Sequence, residues 1–191
     1  MRELEDKIRA EGKVFPGDVL KVDSFLNHQV DTAFMQKIGK EFKRLYENEN
    51  ITKILTIEAS GISMALATAY CFDFCPLVFA KKGNVSSMDT SSYVSKVHSY
   101  THNHDYHVHV SKNYLKKDDV VLIIDDFLAN GEALNGLLDI CEQAGCKVVG
   151  CGVAVEKAYQ PGGRMLRERG VRIESLARVS KMTDDGLIEF C

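Results

Sequence analysis

Residues Val120 to Ala133 read V-V-L-I-I-D-D-F-L-A-N-G-E-A, and no other stretch limits the possible folds as much. Five aliphatic residues in a row, most of them β-branched, fit a strand buried on both faces of a parallel sheet. Two carboxylates, Asp125 and Asp126, follow at once. They are expected where the strand leaves the sheet, at the edge where open α/β sheets bind ligands. Asn130 and Gly131 suit a tight strand-to-helix turn. Such a turn aims free backbone N–H groups and the positive end of a helix dipole at an anion. Acids beside an anion cradle suit a ligand that carries both hydroxyls and a phosphate.

A second junction of this kind lies upstream. Ile51 to Ile57 is β-branched and strand-like, Glu58-Ala59-Ser60-Gly61 is a small-residue turn, and Ile62 to Tyr70 is an Ala-rich helix. Leu77 to Ala80 is a third strand. It ends in Lys81-Lys82-Gly83, a pair that either neutralises phosphate oxygens or forms a solvated basic turn. Lys147 to Val155 is a further buried strand, and it leads into Glu156-Lys157-Ala158-Tyr159. There Lys157 can donate to a ligand oxygen and Tyr159 can stack on a flat ring. Helices are predicted over Glu3 to Ala10, over Thr32 to Glu47 behind an Asp31 N-cap, from Leu134 to a stop at Gly145, and over Met165 to Arg169. Val171 to Ser175 and Leu187 to Phe190 complete the strands. Strands alternating with helices predict the α/β class, a parallel sheet flanked by helices, with residues 1–191 as a single domain.

Three stretches fit no period. Val14 to Asn27 reads as an irregular connector or as a flap over a site. Asn84 to Thr101 is Ser/Thr-rich and reads as a long polar loop. His98 to His109 holds five of the six histidines. A hairpin of Val94–Tyr100 with Tyr106–Val110 suits that stretch better than a metal site, because only Asp105 stands near enough to complete a ligand set. Cys71 and Cys75 lack a CxxC spacing and read as buried thiols.

Lys and Arg total 24 against 27 Asp and Glu, a net charge of -3 that gives no pull toward nucleic acid or anionic membrane. No apolar stretch approaches the roughly 20 residues of a membrane span, and the charged N-terminus lacks a signal-peptide core, so a cytoplasmic protein is expected. A phosphate-binding G-x-x-x-x-G-K-[ST] loop, a dinucleotide G-x-G-x-x-G and a G-x-S-x-G nucleophile elbow are all missing.

V-L-I-I-D-D-F-L-A-N-G-E-A resembles the phosphoribosyl-diphosphate (PRPP) motif of type I phosphoribosyltransferases. In that motif a hydrophobic run enters two acids and a Gly-containing loop. The loop usually carries Thr where this chain has Asn130 and Ala133, but D-D-F-L-A-N-G is similar to a variant found in a purine branch of the family. K-V-D-S-F-L-N-H-Q at 21–29, T-I-E-A-S-G-I at 56–62, V-E-K-A-Y-Q-P-G at 155–162 and V-R-I-E-S-L-A-R at 171–178 resemble the same branch.

The resemblance implies the family fold, with a hood formed by residues 14–30 and the C-terminal segment, and a mobile loop at about 83–105. It implies a glycosyltransferase of purine salvage that moves ribose 5-phosphate from PRPP to a purine and releases pyrophosphate. Xanthine is the expected base, with guanine or hypoxanthine, or a non-catalytic PRPP sensor, as alternatives. Mg²⁺ is expected through PRPP rather than through the protein, and a homodimer as the assembly. By the same resemblance Asp125 and Asp126 hold the ribose hydroxyls, and Ala129, Asn130, Gly131, Glu132 and Ala133 hold the 5′-phosphate. Ser60, Gly61 and Lys81 grip the pyrophosphate, while Leu20, Asn27 and Lys157 contact the purine.

Overall fold

A computed structural model describes residues 1–83, 90–99 and 104–191. Helix α1 (Arg2–Glu11) is followed by a two-stranded antiparallel hairpin, β1 (Lys13–Phe15) and β2 (Val19–Lys21), and a π-helical turn at Asp23–Asn27. The stretch expected to be irregular is therefore ordered. Gly17 (φ 83°) and Asp18 (φ 62°) make the tight turn between strands of three residues, too short for alternation to be visible in the sequence. Helix α2 (Thr32–Leu45) starts where predicted, with Asp31 accepting the Phe34 N–H at 3.0 Å.

Strands β3 (Lys53–Ile57), β4 (Leu77–Lys82), β5 (Ser92–Ser99), β6 (His104–Ser111), β7 (Val120–Leu128), β8 (Lys147–Lys157), β9 (Ile173–Met182) and β10 (Ile188–Phe190) form one sheet. Its order is β10-β9-β8-β7-β3-β4-β6-β5. The five central strands are parallel, and the antiparallel β10 and the β5–β6 hairpin border them. The connection from β3 moves outward to β4, whereas β7 leads the other way to β8 and β9. The strand order thus reverses between β3 and β7, and the crevice above their C-terminal ends is where such sheets bind ligands.

Leu122 and Ile124 pack toward α1, α2 and helix α3 (Gly61–Cys71). Val121 and Ile123 pack on the opposite side with helix α4 (Glu132–Ala144) and Leu166 of helix α5 (Pro161–Glu168). The apolar run is thus buried on both faces, as its composition requires.

Two expectations need correction. The acids do not mark the end of the central strand, because pairing with β8 continues through Asp125↔Val153, Phe127↔Val155 and Leu128↔Glu156. Nor is 84–101 all loop, since 92–99 is strand β5, paired with β6 from Ser92↔Ser111 to Ser99↔His104. The hairpin expected from Val94 and Tyr106 is present, and its Ser95 and Val97 are buried. A Cβ on Gly136 of α4 would stand 2.6 Å from Val97 Cγ2, and the Gln143 amide bonds the backbone of Val94, at 2.9 Å to its carbonyl and 3.3 Å from its N–H. The rest of the expected loop, residues 84–89 and 100–103, lies outside the described residues.

The buried Tyr46, just past α2, donates its hydroxyl to the Cys151 carbonyl of β8 at 2.9 Å. Tyr46→Phe removes that buried hydrogen bond, so it should lower unfolding stability by about 1 kcal/mol in urea titration.

Candidate active site

The crevice at the β3/β7 switch collects several of the residues singled out from the sequence. Asp125 is 4% exposed and Asp126 8% exposed, and the Asp126 N–H donates to Asp125 Oδ1 at 3.0 Å. Burial, then the neighbouring Asp126 carboxylate, push the Asp125 carboxyl well above the usual carboxylate range, against the opposing pull of Lys82. Asp125 also lies against the start of α3: a Cβ on Gly61 would stand 2.3 Å from Thr56 Oγ1 and 3.3 Å from Asp125 Oδ1.

Beyond β7 the chain turns through Ala129 and Asn130 to Gly131, whose φ of 88° is left-handed. Gly131 is the N-cap of α4, with no side-chain cap bond, and Glu132 and Ala133 begin the helix. The first amides of α4 therefore face a neighbouring cleft without a capping side chain. That cleft is lined by residues 127–134 and by His98 and Tyr106 of the β5–β6 hairpin. His98 Nδ1 lies 2.7 Å from Asp105 Oδ1.

The second junction is arranged in a similar way. Ser60 caps α3 without a side-chain cap bond, and the Glu58–Ala59 peptide is cis. Ala59, Ser60, Ile62 and Ser63 share a cavity with Asn27 and Val30 of the flap.

The two lysines of β4 part company, because successive strand residues point to opposite faces. Lys81 lines an outer groove with Lys53, Phe79 and Tyr114. Lys82 lies over the Tyr106 ring at 5.3 Å, donates its backbone N–H to Glu58 Oε1 at 2.6 Å, and acts on Asp125. Alternation was available in the sequence to separate them.

The flap residues approach from two directions. Asn27 Nδ2 donates to Asp126 Oδ2 at 3.4 Å, while its buried Oδ1 has no partner. Leu20 is 6% exposed on β2. Lys157, at the end of β8, donates to the carbonyl of Asp18 in the hairpin turn, and burial pushes its ammonium down, with Asp18 opposing. Burial, then Asp18, push the Tyr159 hydroxyl up to about 12.

One charged group was missed altogether. Glu156 is 1% exposed, and burial pushes it up, but Arg167, Ser175 and Arg178 outweigh that and hold it below the usual range. Its only sequence signal is an acid one residue beyond an apolar strand. Among the described residues no three His, Cys, Asp or Glu side chains form a group able to cage a metal, and no helix is long and apolar enough to cross a membrane.

This geometry is that of a ligand crevice at the switch point of an α/β sheet, and comparison with known proteins gives its family. A phosphoribosyl transferase domain model matches residues 26–173, and the chain belongs to that family. Among curated relatives, the Xanthine phosphoribosyltransferase 2 of Clostridium botulinum is 54% identical over 185 residues, 97% of each chain. The Xanthine phosphoribosyltransferase of Pediococcus pentosaceus is 50% identical over 190 residues, 100% of each. Among solved structures, the APRTase of Giardia lamblia complexed with 9-deazaadenine superposes with a TM-score of 0.79 at 23% identity, covering 93% of this chain and 98% of that one. The adenine phosphoribosyltransferase of Trypanosoma brucei gives 0.75 at 20% identity, covering 96% and 83%. These two structures establish the likeness of fold.

The raised Asp125 carboxyl has a consequence for stability. A group whose pKa rises on folding favours the fold while protonated, and that contribution is lost as pH rises through the folded value. Asp125→Asn stays neutral throughout. It should unfold at higher urea than the wild type at alkaline pH, with the gap narrowing as the pH falls toward the ordinary carboxylate range.

Proposed function

We propose that this chain is a xanthine phosphoribosyltransferase, transferring ribose 5-phosphate from PRPP to xanthine to give XMP and pyrophosphate in purine salvage. The observation that carries the reading is the meeting of Asn27 and Asp126 over the β3/β7 crevice, with one Asn27 atom unmet. A base-side group and a sugar-side acid, 99 residues apart in sequence, thus border one space. The names of the curated relatives supply the base.

In this reading Asp125 and Asp126 hold the ribose 2′- and 3′-hydroxyls, and the amides of 129–133 receive the 5′-phosphate. The bond from the anomeric carbon to the diphosphate oxygen breaks as the bond to the purine nitrogen forms. Positive charge on the ribose is stabilised by the carboxylates beneath it. Ser60 and Gly61 take the diphosphate. Of the two β4 lysines, Lys82 is the better placed to help, since its charge already acts on Asp125. When bound with PRPP, Mg²⁺ would neutralise diphosphate charge.

For the base, Lys157 supplies a donor to a purine keto oxygen, with Leu20 beside it. The unmet Asn27 Oδ1 is an acceptor, so it suits a purine N–H better than the C2 keto oxygen. Steady-state rates with xanthine, guanine and hypoxanthine, run on wild type and Asp126→Asn, test both halves. Xanthine should give the highest kcat/KM, and the variant should lose well over tenfold in turnover while remaining folded. Equal or better efficiency with guanine sinks the base assignment, and wild-type rates in the variant sink the sugar assignment.

The homodimer belongs to the same proposal. Leu66, Tyr70 and Phe74 recur at every fourth residue along and just beyond α3, and all are exposed, Phe74 by 77%. The Tyr70 and Phe74 rings contact each other at 5.6 Å, giving an apolar stripe suited to a second copy. Sedimentation equilibrium should read twice the chain mass; a monomer at micromolar concentration would overturn this assembly.

A further inference from the structure

Glu156 has no task in the reaction described above, yet both its oxygens accept hydrogen bonds. Arg167 of α5 donates through Nη1 to Oε1 at 2.6 Å and through Nη2 to Oε2 at 2.8 Å. From β9, Ser175 Oγ donates to Oε2 at 2.5 Å and Arg178 Nε at 3.1 Å. A buried ionic cluster is weak evidence for stability, because apolar side chains of similar volume often serve as well or better. What such a cluster does supply is fixed geometry, with a bidentate fork setting both distance and angle.

The geometry it fixes is that of the first turn of α5. A Cβ on Gly163 would stand 2.2 Å from Glu156 Oε1, so this turn rests directly on the carboxylate. The preceding residue rests on the phosphate loop. A Cβ on Gly162 would stand 2.4 Å from the Ala129 carbonyl oxygen and 2.5 Å from Asn130 C and Gly131 N, and the Gly162 N–H donates to Ala129 O at 3.0 Å. One backbone turn thus separates a buried carboxylate from the loop at 129–131. Along the chain the next residue is Lys157, bonded to the flap through Asp18.

We propose that Glu156 is a positioning residue. By clamping Arg167 and the first turn of α5, it holds the 5′-phosphate loop and the base-side lysine in one frame. The inference rests on the reading of 129–133 as the phosphate cradle. It predicts that loosening the clamp weakens PRPP binding, which a merely structural carboxylate would not do.

Calorimetric titration of PRPP with Mg²⁺ into wild type, Glu156→Gln, Arg167→Lys and Tyr46→Phe separates these cases. Glu156→Gln should weaken PRPP about tenfold or more, since small displacements of a binding group carry penalties of that order. Arg167→Lys, at a side chain 34% exposed, keeps the charge but loses the fork, and should weaken PRPP in the same direction. Tyr46→Phe should lower the unfolding midpoint and leave PRPP affinity alone. If Glu156→Gln does not fold, Arg167→Lys decides. Folded variants that bind PRPP within twofold of wild type overturn the positioning role and leave the cradle reading intact. A wild type that fails to bind PRPP overturns the cradle reading, and this inference with it.

Discussion

A parallel strand buried on both faces has no room for charge, and this molecule places two carboxylates in one. Asp125 and Asp126 lie within β7, and water reaches almost none of either. Much of the surrounding architecture answers that constraint. The strand order reverses beside them, so a crevice opens over their ends. Gly61 leaves space at Asp125 where a side chain would collide with Thr56. The Asp126 amide is turned onto Asp125 Oδ1, and Asn27 comes across from the flap to Asp126. A buried acid stays costly even so, and strain of this kind concentrates where a fold meets its ligand.

Glu156 meets the same difficulty with the opposite outcome. It lies at the matching end of the neighbouring strand, with Leu128 as its register partner. Two arginines and a serine surround it, so its charge is held and its carboxyl falls below the usual range. Asp125 is left short of compensation and rises. A carboxylate with all its partners inside the protein builds; one without them has capacity left for something outside it.

Local chemistry made much of this legible in the sequence. The run at Val120–Ile124 announced a doubly buried strand because only aliphatic residues occupy it. Asp31 announced a helix start because its side chain can accept the Phe34 N–H. Asn130 and Gly131 announced a tight turn, and Gly131 takes the left-handed φ of 88° there. What stayed hidden depended on contacts between distant segments. The β1–β2 hairpin is too short to show a period. The partners that tame Glu156 come from positions 11, 19 and 22 residues away. Of the two lysines of β4 the family resemblance singled out Lys81, whereas the strand gives Lys81 an outer groove and sets Lys82 over Tyr106.

The turn at 129–133 also explains a spelling in the chain's central motif. Its helix is capped by no side chain, and Gly162 presses against its backbone rather than against its side chains. In the proposed cradle the grip is made of amides, and such a grip is indifferent to the side chains hung along it, provided the main-chain path is kept. Asn130 and Ala133 can therefore replace the customary threonines at little cost. Gly131 and Gly162 have no such freedom, since at both a methyl group would meet main chain, and the tolerance of the loop to drift is set by these two residues.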